Sequence, residues 1–154
     1  MLNFVPDKDA ALAGMKRAAR PGGNVAAYVW DYAGAMELMR AFWEAAAELD
    51  PQAAALDEGR RFPLCRPEPL ARLFTSAGLC DVGTVALDVP TPFESFDDYW
   101  QPFLGGQGPA PAYAMSLGEA MRGRLRERLR ERLGAQEEGL IRMSARAWAV
   151  RGSR

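Results

Sequence analysis

Leu2-Asn3-Phe4-Val5-Pro6-Asp7 and, after the turn Pro21-Gly22-Gly23, Val25-Ala26-Ala27-Tyr28-Val29-Trp30-Asp31-Tyr32 decide how this chain is read. Residues 2–5 are a short apolar run and read as the end of a strand. Pro6 stops pairing there, and Asp7 is placed to cap a helix. Ala11, Met15 and Ala18 then follow helical spacing, and Lys16, Arg17 and Arg20 fall in the last turn, where cations suit the helix dipole. The glycines end that helix. Residues 25–30 show no polar alternation, which predicts a strand covered on both faces. Strand, helix and strand at this spacing predict a parallel pair joined by a right-handed crossover. The chain reads as α/β, entered in the middle of its fold.

Further along, residues 35–49 form an amphipathic helix with Met36, Met39, Trp43 and Ala46 on one side and Leu38, Phe42 and Leu49 beside them. Asp50-Pro51 ends it. Residues 53–56 suggest a helical turn, and residues 60–65 read as a loop. A helix over 67–77 has Pro67 at its first position, Leu70, Leu73 and Phe74 as its stripe, and Gly78 after it. Residues 82–89 alternate as a strand, with Val85, Leu87 and Val89 on one face and Thr84 and Asp88 on the other. Ser95 opens a short helix by a capping-box pattern. Residues 113–133 are one long helix or a pair broken near Gly118 or Gly123, and residues 144–151 are the last strand.

Composition narrows the class. The 154 residues are 49% hydrophobic and 25% charged, with a net charge of −1, which fits a folded globular chain and gives no general electrostatic reason to bind nucleic acid. No histidine is present, so histidine triads and histidine-ligated zinc are excluded within this chain. Cys65 and Cys80 do not have metal-site spacing and read as reduced thiols. No run approaches the ~20 apolar residues of a membrane span, and residues 1–20 lack the pattern of a signal peptide, so the expected location is the cytoplasm.

Two motifs invite stronger readings than they support. Gly105-Gly106-Gln107-Gly108 lacks the Lys and Ser or Thr of a phosphate loop and follows a helix, so it reads as a connection. Arg122, Arg124, Arg126, Arg128, Arg130 and Arg132 share a helix with Leu117, Met121, Leu125, Leu129 and Leu133, and read as a solvated face around a core stripe. Trp30, Asp31 and Tyr32 differ, because they stand where a strand runs out, and open α/β sheets bind ligands at the carboxyl ends of their strands. With Asn3, Phe4 and Val5 they are the best site candidates. Position alone leaves a structural role for each equally open.

At these residues the chain resembles a known family. The pattern LNFVPD…RPGG.VA.YVWDY, followed by M…FW.AA..LDP and FPLC.PE.L..LF..AGL, is similar to class I S-adenosylmethionine-dependent methyltransferases, with small-molecule enzymes of the type 11 or type 25 kind nearest. The resemblance implies the C-terminal half of a Rossmann-like seven-stranded sheet of order 3-2-1-4-5-7-6, its seventh strand antiparallel, with helical insertions. Residues 2–5 are then the tail of strand 4, residues 24–30 strand 5, residues 82–89 strand 6 and residues 144–151 strand 7. The whole chain is one domain, with residues 95–134 a helical insertion between the last two strands.

The resemblance also implies roles. Leu2, Asn3, Phe4 and Val5 map to the edge of S-adenosylmethionine. Trp30 and Tyr32 map to the substrate side, as do Arg61, Phe62 and Pro63, and Asp31 maps to orienting a substrate hydroxyl or accepting its proton. The aromatic side chains Tyr28, Trp30 and Tyr32 are suited to face a sulfonium cation. The family's glycine-rich loop after strand 1 and acidic residue after strand 2, which hold the cofactor, have no counterpart here. The expectation is therefore a truncated methyltransferase, inactive by itself, that forms a homodimer or swapped assembly through an exposed sheet edge. The competing expectation is a non-enzymatic module that binds a ligand or partner, or dimerises, with Met36, Phe42, Trp43, Trp100 and Phe103 as its apolar lids.

Overall fold

A computed structural model describes residues 2–134 and 139–154, and shows a mixed α/β chain. In chain order the elements are α1 (Lys8–Ala18), β1 (Asn24–Trp30), α2 (Glu37–Leu49), α3 (Glu58–Arg61), α4 (Pro67–Ser76), β2 (Cys80–Pro90), α5 (Phe96–Trp100), α6 (Pro109–Ser116), α7 (Glu119–Arg132) and β3 (Ser144–Ser153). Short 3-10 turns cover Leu2–Phe4, Pro51–Ala55 and Gln101–Gly105. The chain divides into two compact units. No helix among the described residues is long and apolar enough to cross a membrane.

The first unit holds the chain up to Asp31 together with Phe62–Asp88 and Arg146–Arg154. Its sheet has the order β1-β3-β2. β3 runs antiparallel to β1, with Val25 opposite Gly152 and Val29 opposite Trp148. It runs antiparallel to β2 as well: Arg146 at the start of β3 binds Asp88 near the end of β2, while Gly152 at the end of β3 lies against Cys80, where β2 starts. This small three-stranded antiparallel sheet is not the doubly wound Rossmann-like sheet that the resemblance implies, and its order is not Rossmann-like.

Two expectations are corrected here. Residues 2–5 are not a strand tail. Leu2–Phe4 is a 3-10 turn in which the Val5 N–H donates to the Leu2 carbonyl at 3.2 Å, so the expected parallel pair with β1 does not form among the described residues. Four residues before a proline satisfy their backbone more readily by a local i to i+3 bond than by a long ladder. Nor is β1 covered on both faces: Val25 and Val29 are buried, whereas Ala26 and Tyr28 on the opposite face are exposed.

The helical layer forms as expected from local chemistry. The Asp7 carboxylate accepts from the Ala10 N–H and caps α1. Gly78, at φ +72°, turns the chain out of α4, and Lys16 of α1 donates to the carbonyls of Ala77 and Gly78 at that helix end. Leu12, Val29, Leu70, Phe74 and Val150 are fully buried in this unit.

The second unit, Tyr32–Arg61 with Val89–Ala145, is helical around an aromatic cluster. Phe42 of α2 stacks on Phe103 with ring centroids 4.4 Å apart and meets Trp43 and Tyr113 edge-on. Leu125 and Leu129 of α7 close it. The Ser95 hydroxyl accepts from the Asp98 N–H to start α5, and the break between α6 and α7 falls at Leu117-Gly118, not at Gly123. The arginines of α7 are drawn into ion pairs: Arg126 with Asp97, Arg128 with Glu48 and Glu131, Arg132 with Glu44 and Glu48. One difference is α3, four helical residues within a stretch that reads from sequence as mixed turn and loop.

Candidate functional site

β1 ends at Trp30, and the Asp31 N–H continues the ladder by donating to the Arg146 carbonyl at 2.8 Å. That bond fixes the backbone as the chain leaves the sheet. Trp30 is half-buried, and Asp31 is buried, 6% exposed. The Asp31 carboxylate acts on Cys65, which is itself buried. Burial first, and then the negative charge of Asp31, push the Cys65 thiol up to about 12, with Lys8 opposing. Cys65 is therefore an inert thiol, not a nucleophile. Among the described residues of the first unit, Asp31 is the one buried carboxylate.

The opening segment belongs to the same unit. Leu2 and Asn3 are buried, Val5 is half-buried and Phe4 is 51% exposed. Phe4 meets Phe62 edge-on, with ring centroids 5.0 Å apart and planes at 75°. The structure thus joins one residue expected beside a cofactor to one expected beside a substrate. Pro63 follows, exposed. Asn3 is only 4% exposed, yet neither its Nδ2 nor its Oδ1 has a hydrogen-bond partner among the described residues. Leu2, Val5, Ala11, Met15 and Tyr28 line an apolar cleft of about 330 Å³ at the outer edge of β1. Tyr28 is 56% exposed and stands on the open face of the sheet.

The other two candidates belong to the second unit. Tyr32 is buried, 7% exposed, and Arg61 is an exposed residue at the end of α3. Here the structure shows a polar cluster that the sequence pattern does not reveal. Arg40 and Trp43, one turn apart on α2, hold the consecutive acids Asp57 and Glu58. Arg40 Nη2 donates to Asp57 Oδ1 at 2.5 Å, Trp43 Nε1 donates to Glu58 Oε2, and the Gly59 N–H donates to Asp57 Oδ1 at 2.7 Å. Both acids are buried. Burial pushes the Glu58 carboxyl above its ordinary value, against the backbone and Trp43 hydrogen bonds, which lower it.

Gly59 shows what the cluster supports. A Cβ there would lie 2.9 Å from the Ala33 Cα and 3.0 Å from the Tyr32 carbonyl. Only a residue without a side chain lets α3 touch the Tyr32-Ala33 backbone. The signal in the sequence is the acidic pair followed by glycine, an arrangement periodicity does not detect. Trp43 does lie in the apolar stripe, as its spacing predicts, but its indole N–H serves Glu58.

No protein-family model matches this sequence, and no curated protein matches it.

Proposed function

We propose that this chain supplies the substrate side of an S-adenosylmethionine-dependent methyltransferase acting on a small molecule. The observation that carries the reading is Asn3: a buried carboxamide without a partner among the described residues, in the segment that the resemblance sets at the edge of the cofactor. A buried amide left unpaired costs roughly 1–3 kcal/mol, which a ligand's polar edge would recover.

When bound, S-adenosylmethionine supplies a methyl group on an already activated sulfonium. What the chain must then do is modest. Asn3 hydrogen-bonds the cofactor's polar edge. Phe4 and Phe62 form an apolar wall that excludes water. Asp31 orients an acceptor hydroxyl or takes its proton, and its burial beside Cys65 keeps that charge out of bulk solvent. β1 ends the sheet and carries neither charge nor proline, which supports self-association across that edge as a homodimer, with a dimer mass expected in sedimentation. Titration calorimetry with S-adenosylmethionine tests the reading: saturable binding that depends on Asn3 supports it, and an equal heat from an Asn3→Leu variant contradicts it.

A further inference from the structure

We infer that the open face of the sheet is a seat for an amphipathic α-helix presented by a protein partner, an inference independent of the methyl-transfer reading. The face follows from strand alternation and register. Ala26 and Tyr28 of β1 lie opposite Arg151 and Ala149 of β3, on the side away from the buried Val25, Val29 and Val150. On β2 the matching residues are Gly83, Val85 and Leu87, because Asp88 pairs with Arg146 on the other side. Tyr28, Val85 and Leu87 are 56%, 58% and 46% exposed. Isolated exposed apolar residues are ordinary; three that share one face around a common groove mark an interaction surface.

The shape selects the occupant. The central strand contributes Ala149, and its neighbours contribute the tall side chains Tyr28, Val85 and Leu87. The result is a trough of about 500 Å³ with a small-residue floor. Its rims stand two strand spacings apart, roughly 9–10 Å, which matches the ~10 Å diameter of a helix with its side chains. From Gly83 to Leu87 the wall runs for roughly 13 Å, room for two to three helical turns.

Charge selects further. Arg151 is the one charged residue lining the trough among the described residues; it is exposed and makes no ion pair there. An aliphatic helix with an Asp or Glu at the Arg151 end is complementary to that floor and that charge. A second copy of the same face is not, because it brings the same positive charge and the same tall rims.

The test uses the full chain and two synthetic helical peptides of about twelve residues, each an Ala/Leu stripe on a polar face, one with Glu and one with Lys near the same end. Calorimetry is expected to show the Glu peptide binding about fivefold tighter. Arg151→Glu is expected to reverse that preference, and Ala149→Phe, which fills the floor, to weaken both peptides at least tenfold with circular dichroism unchanged. Should Ala149→Phe fail to fold, the Arg151→Glu reversal alone decides. Absence of binding by either peptide overturns the inference, as does equal binding that Arg151→Glu leaves unaltered. A dimer that Ala149→Phe converts to monomer overturns it too, and assigns the face to a second copy instead.

Discussion

A carboxamide can make four hydrogen bonds, and Asn3 makes none among the described residues while nearly out of reach of solvent. Such a group lowers stability unless a ligand completes it. Asn3→Leu, close in shape and without polar atoms, is therefore expected to raise stability by about 1 kcal/mol in urea unfolding without ligand. A loss of stability would show that Asn3 is structural. Glu58 gives a pH test. Its folded-state value is raised above the ordinary 4.5, so the folded chain binds that proton more tightly than the unfolded chain. The stability this supplies is present below about 4.5 and is lost as pH rises through the folded value. Relative to Glu58→Gln, wild type is expected to lose melting temperature as pH rises from about 4 towards 7. A constant difference across that range would remove Glu58 as a titrating buried group.

Elements whose apolar spacing is local are legible in the sequence itself. α2 and α4 show themselves by stripe and breaker, α5 by Ser95, and the α6/α7 break by Gly118. What is not legible depends on partners distant along the chain. Residues 2–5 suit a strand or a turn equally, and only pairing decides. Val85 and Leu87 alternate as a core-facing strand should, but alternation says which face is apolar, not what lies over it. The acidic pair before Gly59 has no periodic signature. Phe4 is expected beside the cofactor and Phe62 beside the substrate, and nothing in the sequence pattern shows that their rings touch; the Arg40–Asp57 and Trp43–Glu58 contacts likewise join segments that no local pattern links. At this scale Gly59→Ala is expected to destabilise the fold by about 1–3 kcal/mol, because its Cβ meets backbone that cannot rotate away. Phe42→Ala, which removes the ring stacked on Phe103, is expected to cost about 3–5 kcal/mol. Chemical unfolding measures both, and a Gly59→Ala variant as stable as wild type would show that the Ala33 and Tyr32 backbone yields to a side chain at that position.

At the scale of the molecule, the first unit carries a fixed exit from β1 at Asp31, an edge-to-face aromatic pair, and an amide without a partner among the described residues. The sheet of the first unit is protected on one face and open on the other, so stability and association are linked: anything that binds only the folded chain raises its apparent stability. The most direct measurement is titration calorimetry of S-adenosylmethionine into the wild-type chain and into Asn3→Leu. Wild type is expected to bind saturably, and Asn3→Leu to bind at least tenfold more weakly while melting no lower. No binding by wild type, or equal binding by both proteins, would contradict the methyl-transfer reading.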